Sequence, residues 1–208
     1  MNLCPQLHQL CTTLPVHRFP FVESSIPVNG LYVLFEEGEV AHDSRRIVRI
    51  GGHTGRDNLR HRLIEHFLTE NKDRSIFRKH VGRSLLARIN DPFLEQWDWD
   101  LTSREKRDKY LPLLNTKRQT EVEKEVTDYI QTTFSFVTFR VADDKVRKEL
   151  EKQLIGTVSS CPDCRPTQEW LGRHHPNSRI RSSGLWNIQG LYKRPIDEAG
   201  LTQLEAST

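Results

Sequence analysis

Residues 29–67, NGLYVLFEEGEVAHDSRRIVRIGGHTGRDNLRHRLIEHF, constrain the fold of this chain more than any other stretch. Residues 31–35 and 47–50 are dense in branched and aromatic side chains, which suit a pleated surface, and the segment between them contains a plausible turn. They predict a β-hairpin. After the turn Gly51-Gly52-His53-Thr54-Gly55, the residues Leu59, Leu63, Ile64, Phe67 and Leu68 recur at helical period, and Asp57 stands where an N-cap belongs. The predicted order is strand, strand, helix.

A length of 208 residues allows one domain with a sizeable core, or a core of about 100 residues carrying insertions, and we favour the second. Residues 1–27 hold four prolines and no sustained periodicity, which predicts a leader packing on the domain. A helix is expected over 75–89, with Ile76, Phe77, Val81, Leu85, Leu86 and Ile89 inward and Arg78, Lys79, Arg83 and Arg88 outward. Residues 90–120 mix turn residues, two tryptophans and dense charge, which reads as an insertion. A helix over 121–132, a strand over 134–141 and a helix from Asp143 or Asp144 to about Val158 complete a domain spanning 28–160, followed by a C-terminal extension over 161–208. The expected fold is α/β (α+β): a small, mainly antiparallel three-stranded sheet flanked by helices, with helical insertions and terminal extensions.

The composition, 36% hydrophobic and 28% charged, is that of a globular protein, so disorder of the whole chain is excluded. A net charge of only +3 means that any polyanion partner has to be recognised through local clustering. No run approaches the roughly 18 apolar residues of a membrane span, and the start lacks a basic region followed by an apolar core, so a cytoplasmic location with no membrane partner is expected. In a reducing compartment Cys4 and Cys11 stay thiols. Cys161-Pro-Asp-Cys164 has the spacing of a zinc-binding pair with His174 and His175 downstream, and the turn-forming Pro-Asp centre accounts for the same spacing without a metal.

Three residue sets carry chemistry. Val146, Leu150, Leu154, Ile155 and Val158 define an apolar helical arc, and Glu151 falls inside it; a carboxylate there needs a cation, either a metal ion or Arg147 one turn earlier. Arg62 and His66 are four apart and share a helical face, so they act as an exposed pair or as two arms of one site. Tyr32 is a core aromatic or, with nearby positive charge to polarise a phenol whose ordinary pKa is about 10, a proton acceptor. The glycine turn lets backbone amides approach a phosphate, although such turns are frequent.

Gly30-Leu31-Tyr32 and Arg49-Ile50-Gly51, followed by Arg62-x3-His66 and Glu151-Lys-Gln-Leu154-Ile155, resemble the GIY-YIG nuclease superfamily, with arginine in place of the second signature tyrosine. The resemblance covers about 28–70 and 134–158. It implies Tyr32 as general base, Arg62 as the cation that stabilises phosphoryl charge, His66 as an assistant to nucleophile or substrate, and Glu151 as ligand of magnesium or manganese. It leaves Arg49 or His53 to polarise Tyr32 or orient water, with His53 preferred because imidazole exchanges protons near neutrality. An asparagine of the family has Glu169 at its place, with Asn187 as a distant substitute. DNA is the implied substrate. Arg78, Lys79 and Arg83, and a second patch of Arg173, Arg179 and Arg181, are the expected phosphate contacts. The expected function is a metal-dependent endonuclease hydrolysing DNA phosphodiester bonds; the alternatives are a catalytically inactive, nuclease-derived module binding nucleic acid or a partner, and a zinc-stabilised interaction protein.

Overall fold

Alternation along β2 (Gly30–Ala41) organises the molecule. Leu31, Val33 and Phe35 project to one face and Tyr32 and Leu34 to the other, and all five are buried. A strand apolar on both faces belongs inside a sheet covered on both sides. The computed structural model, which describes residues 2–207, has that form. β2 pairs antiparallel with β3 (Ser44–Gly51) on one side and with β4 (Phe134–Arg140) on the other. The expected three-stranded sheet gains a fourth strand, because β1 (His17–Arg18) pairs with β4 to give the order β1-β4-β2-β3. Two residues are too short to leave a periodic signal.

Helices α1 (Cys4–Thr12), α7 (Asp144–Ser160) and α9 (Glu198–Glu205) supply the core on the Leu31 face. Helices α2 (Leu59–Phe67), α3 (Ile76–Arg88) and α6 (Thr116–Thr133) supply it on the Tyr32 face. Asp57 is not the N-cap of α2, which starts behind Asn58 with no side-chain cap; Asp57 has φ +57° and its amide donates to Asn29 Oδ1 at 2.8 Å. That bond ties the glycine-rich turn to the start of β2.

The outward face expected for α3 is corrected. Ile76 and Ile89 are 47% and 61% exposed, whereas Arg78 and Lys79 are buried. The Arg78 guanidinium donates to Glu123 of α6 at 2.9 Å and to Thr127 at 2.8 Å, and Lys79 Nζ donates to the carbonyl of Asp98 at 2.9 Å. Both side chains thus spend their donors on partners inside the protein rather than on an exposed basic face. A helical-period argument treats arginine as outward because it cannot see Glu123, 45 residues away.

Residues 90–120 are mostly exposed but send Phe93 and Trp97 into the core. They contain α4 (Leu94–Asp98) and α5 (Arg104–Tyr110), and Trp97 of α4 is fully buried. Its indole packs on Gly82 of α3, where an added Cβ would lie 2.3 Å from the ring, and its Nε1 donates to the Lys79 carbonyl at 3.0 Å. The segment after α7, including α8 (Ser178–Ser183), is tied to β2 through Glu36, which accepts from the indoles of Trp170 and Trp186 at 2.9 Å each. Among the described residues no helix is long and apolar enough to cross a membrane.

Candidate active site

Pairing register places Tyr32 opposite Gly51, where an added Cβ would lie 2.3 Å from the phenol oxygen. Glycine is therefore what lets the ring pass. Tyr32 Oη lies 2.7 Å from His66 Nε2, and His66 Nδ1 lies 2.7 Å from Ser75 Oγ. Arg49 Nε donates to Tyr32 Oη at 3.3 Å, and the Arg78 amide donates to Ser75 Oγ at 3.2 Å. Two proton assignments fit the chain: Tyr32 donates to Nε2 while Nδ1–H donates to Ser75, or Ser75 donates to Nδ1 while Nε2–H donates to Tyr32. Burial holds the His66 pKa well below its ordinary value, and the guanidiniums of Arg62, Arg49 and Arg78 lower it further, so the ring is neutral.

Tyr32 and His66 are 1% and 0% exposed and lie beneath the floor of an open cleft of about 1360 Å³. Arg49, His53, Arg62 and Glu151 line that cleft. So do Arg83 and several cations that sequence reasoning did not single out, among them Lys148 and Lys152 on the same face of α7 as Glu151, and Arg74, Lys193 and Arg194. Eight lysines and arginines line the cleft with four carboxylates, and three of the eight, Arg83, Lys148 and Arg194, pair with Asp98, Asp144 and Asp197 just outside it, so the excess of positive charge is small. The signal for Lys148 and Lys152 was present as i, i+4 spacing on α7.

Burial pushes the Glu151 carboxyl pKa up, while Arg49, the Gly52 amide, Arg62 and Arg147 pull it back. A Cβ on Gly52 would lie 3.1 Å from Glu151 Oε2, so this glycine too admits a close approach. Arg147, the alternative ion-pair partner for Glu151, instead directs Nη2 to Asp144 at 2.8 Å and Nη1 to the Val141 carbonyl at 3.0 Å. Among the described residues no cationic side chain closes an ion pair with Glu151. A hard carboxylate facing a cleft without such a partner fits a hydrated divalent cation.

His53 differs from expectation. Its Nε2 accepts from the Gly30 amide at 3.3 Å, so the ring proton sits on Nδ1, a buried atom with no partner. Burial and Arg147 lower its pKa. Arg62 Nη1 is held by Glu65 at 2.9 Å and by the Arg74 carbonyl at 2.8 Å. Asn187 reaches the cleft, but its amide is paired with the Ile50 backbone at 3.1 and 2.9 Å, and Glu169 is exposed elsewhere.

The late basic patch does not join this site. Arg179 and Arg181 are exposed on α8 outside the cleft lining, Arg181 donates to the His175 and Pro176 carbonyls, and Arg173 donates to the carbonyl of Pro166 at 2.7 Å. His174 is exposed, and His175 Nε2 lies 3.0 Å from His80 Nδ1 beside α3, so neither histidine accompanies Cys161 and Cys164.

The buried histidines give stability a pH dependence. Burial lowers the pKa of His66 and His80 and brings His175 from 6.5 down to about 4. The unfolded chain, with imidazoles near 6.5, therefore binds more protons over the window from 6.5 down to 4. Stability should be full above that window and fall as pH drops through it, by about 1.4 kcal/mol per pH unit for each such histidine. Urea unfolding at pH 7 and pH 5 checks this; equal stabilities would contradict it.

The sequence model of the GIY-YIG domain matches residues 18–208. No curated protein and no solved structure matches the chain significantly. The domain match covers nearly the whole length and includes the hairpin, α2 and α7 that carry the cleft residues, so this protein belongs to the GIY-YIG domain family of nucleases.

Proposed function

We propose that this protein is a magnesium- or manganese-dependent endonuclease that hydrolyses DNA phosphodiester bonds in the Arg49–Glu151 cleft. The observation that carries the reading is Glu151: a carboxylate with no closed ion pair, in one cleft with Arg49, His53 and Arg62, over the Tyr32–His66 pair. Glu151 would hold the divalent cation, which when bound neutralises charge on the scissile phosphate. Arg62 and Arg49 offer forked donors to phosphate oxygens, and His53 Nδ1–H is a further donor. In the tautomer in which Tyr32 donates to His66 Nε2, a lone pair of Oη is left to accept from the attacking water. As water yields its proton to Oη, the phenolic proton passes to His66 Nε2, and Ser75 continues to hold Nδ1–H. The cations along the cleft, Lys148, Lys152 and Arg83 among them, bind the flanking backbone without reading sequence.

One observation favours the second reading, a catalytically inactive binding module: the phenol and imidazole are almost fully buried. Incubating supercoiled plasmid with the purified protein separates the two. Nicked and linear products with magnesium or manganese, and none with chelator, are expected of the enzyme. DNA that is retarded on a gel yet stays intact with every metal would overturn catalysis and leave the module.

A further inference from the structure

Away from the cleft, the tip of the β2–β3 hairpin meets α1 and the turn after α7, and four potential metal ligands converge there. Cys4, His8, His42 and Cys164 each offer an atom, and these atoms all lie within 4.8 Å of one another. Cys4 and His8 are one turn apart on α1, His42 occupies the hairpin tip with φ +51°, and Cys164 follows α7. Three of the four are buried, and none lines the cleft.

We propose that Cys4, His8, His42 and Cys164 form a tetrahedral zinc site that fastens α1 to the nuclease domain. Bond lengths to zinc imply edges of about 3.8 Å between two sulfurs and about 3.6 Å between sulfur and nitrogen. The separations here are 3.4 Å for Cys4 Sγ to Cys164 Sγ, 3.5 Å for Cys164 Sγ to His42 Nε2 and 3.9 Å for Cys164 Sγ to His8 Nε2. His8 Nδ1 lies 2.9 Å from the Cys4 carbonyl, an outer hydrogen bond of the kind that fixes the tautomer of a metal-ligating histidine, and Nε2, which accepts from the Ile47 amide at 3.3 Å, would exchange that bond for the ion. Two thiolates with two imidazoles favour zinc over magnesium or calcium. A cavity of about 460 Å³ bordered by Cys161 and Cys164 provides access. Cys161 Sγ stands 3.4 Å from His42 Nε2 but is not among the four residues whose ligand atoms all lie within 4.8 Å of one another.

The consequence is topological. The GIY-YIG match begins at residue 18, so two of the four ligands come from a helix that precedes it. Zinc would cross-link that helix to the hairpin and to the end of α7, and so contribute to folding free energy directly. A rival arrangement of the same atoms is a Cys4–Cys164 disulfide, for which the sulfurs would close to about 2 Å.

The test is metal analysis of full-length protein purified without chelator, together with thiol titration in denaturant. About one zinc per chain and four titratable thiols are expected, with the metal lost in C164S and H42A and kept in C161S. Because a ligand variant can fail to fold, wild type stripped of metal is also titrated with cobalt(II), which should give the visible absorption of tetrahedral sulfur-ligated cobalt, be displaced by zinc, and raise Tm. Absence of zinc together with an octahedral cobalt spectrum overturns the proposal, as does a Cys4–Cys164 disulfide. Loss of zinc from folded C161S overturns this ligand set. None of these readouts depends on whether DNA is cleaved.

Discussion

Glu151→Gln is expected to lower metal-dependent DNA cleavage by at least about 10²–10³-fold while leaving the fold intact. The amide is isosteric, so packing on α7 is unchanged, but the negative charge that would hold a divalent cation is removed. Burial already disfavours the ionised carboxyl, which is why its pKa is raised. Replacing it with a neutral amide should therefore hold Tm constant or raise it slightly. That sign distinguishes the two roles: a residue retained for structure loses stability on substitution, and a residue retained for a cation loses activity alone. Initial rates on plasmid DNA over a magnesium titration, set beside thermal unfolding, provide the check. Equal rates for variant and wild type would remove Glu151 from the site.

Tyr32→Phe is expected to cost about 10²–10⁴-fold in kcat, the range for losing a positioned proton acceptor, with DNA affinity within about twofold of wild type. The phenol lies under the floor rather than on the cleft wall, so it contributes little to substrate binding. Its removal strands His66 Nε2 and deprives Arg49 Nε of its acceptor. Leaving a buried polar atom unpaired costs about 1–3 kcal/mol, so a drop in Tm should accompany the loss of kcat. His66→Gln serves as companion, because an amide can still accept from Tyr32 yet cannot take the proton onward. Single-turnover rates and filter binding separate the two quantities. If Tyr32→Phe weakens binding in proportion to the rate, the phenol is a binding element and the proton path described above is wrong.

Legibility followed sequence distance. The hairpin, α2, the strand beginning at Phe134 and the helix carrying Glu151 were all readable, because strand and helix periods act over a few residues and each segment carries several apolar positions in phase. The errors lie where a distant partner reversed a local rule. Arg78 went inward because Glu123 meets it, and Trp97 became core because Gly82 leaves room for an indole. Cys161-x2-Cys164 was visible as a pair and Cys4 as a thiol, yet nothing local joined Cys4 to them, and His8 passed unnoticed in the leader and His42 as part of a turn. The histidines near in sequence stand away from the cysteine pair, and the ones beside Cys164 lie 122 and 156 residues from it.

The sequence by itself determined the inventory: the glycines at 30, 51 and 52, the tyrosine that passes one of them, the arginine and histidine one turn apart on α2, and a carboxylate set among apolar neighbours on α7. These are statements about adjacent residues, where backbone geometry alone dictates which side chains share a face. Tertiary structure decided which donors meet which acceptors. Tyr32 and His66 are 34 residues apart, Arg49 and Trp186 are 137, and only the antiparallel register and the packing of helices on both sheet faces bring such groups together. Charge, tautomer and burial depend on those meetings, and so the chemistry of each group became definite only once the chain was folded.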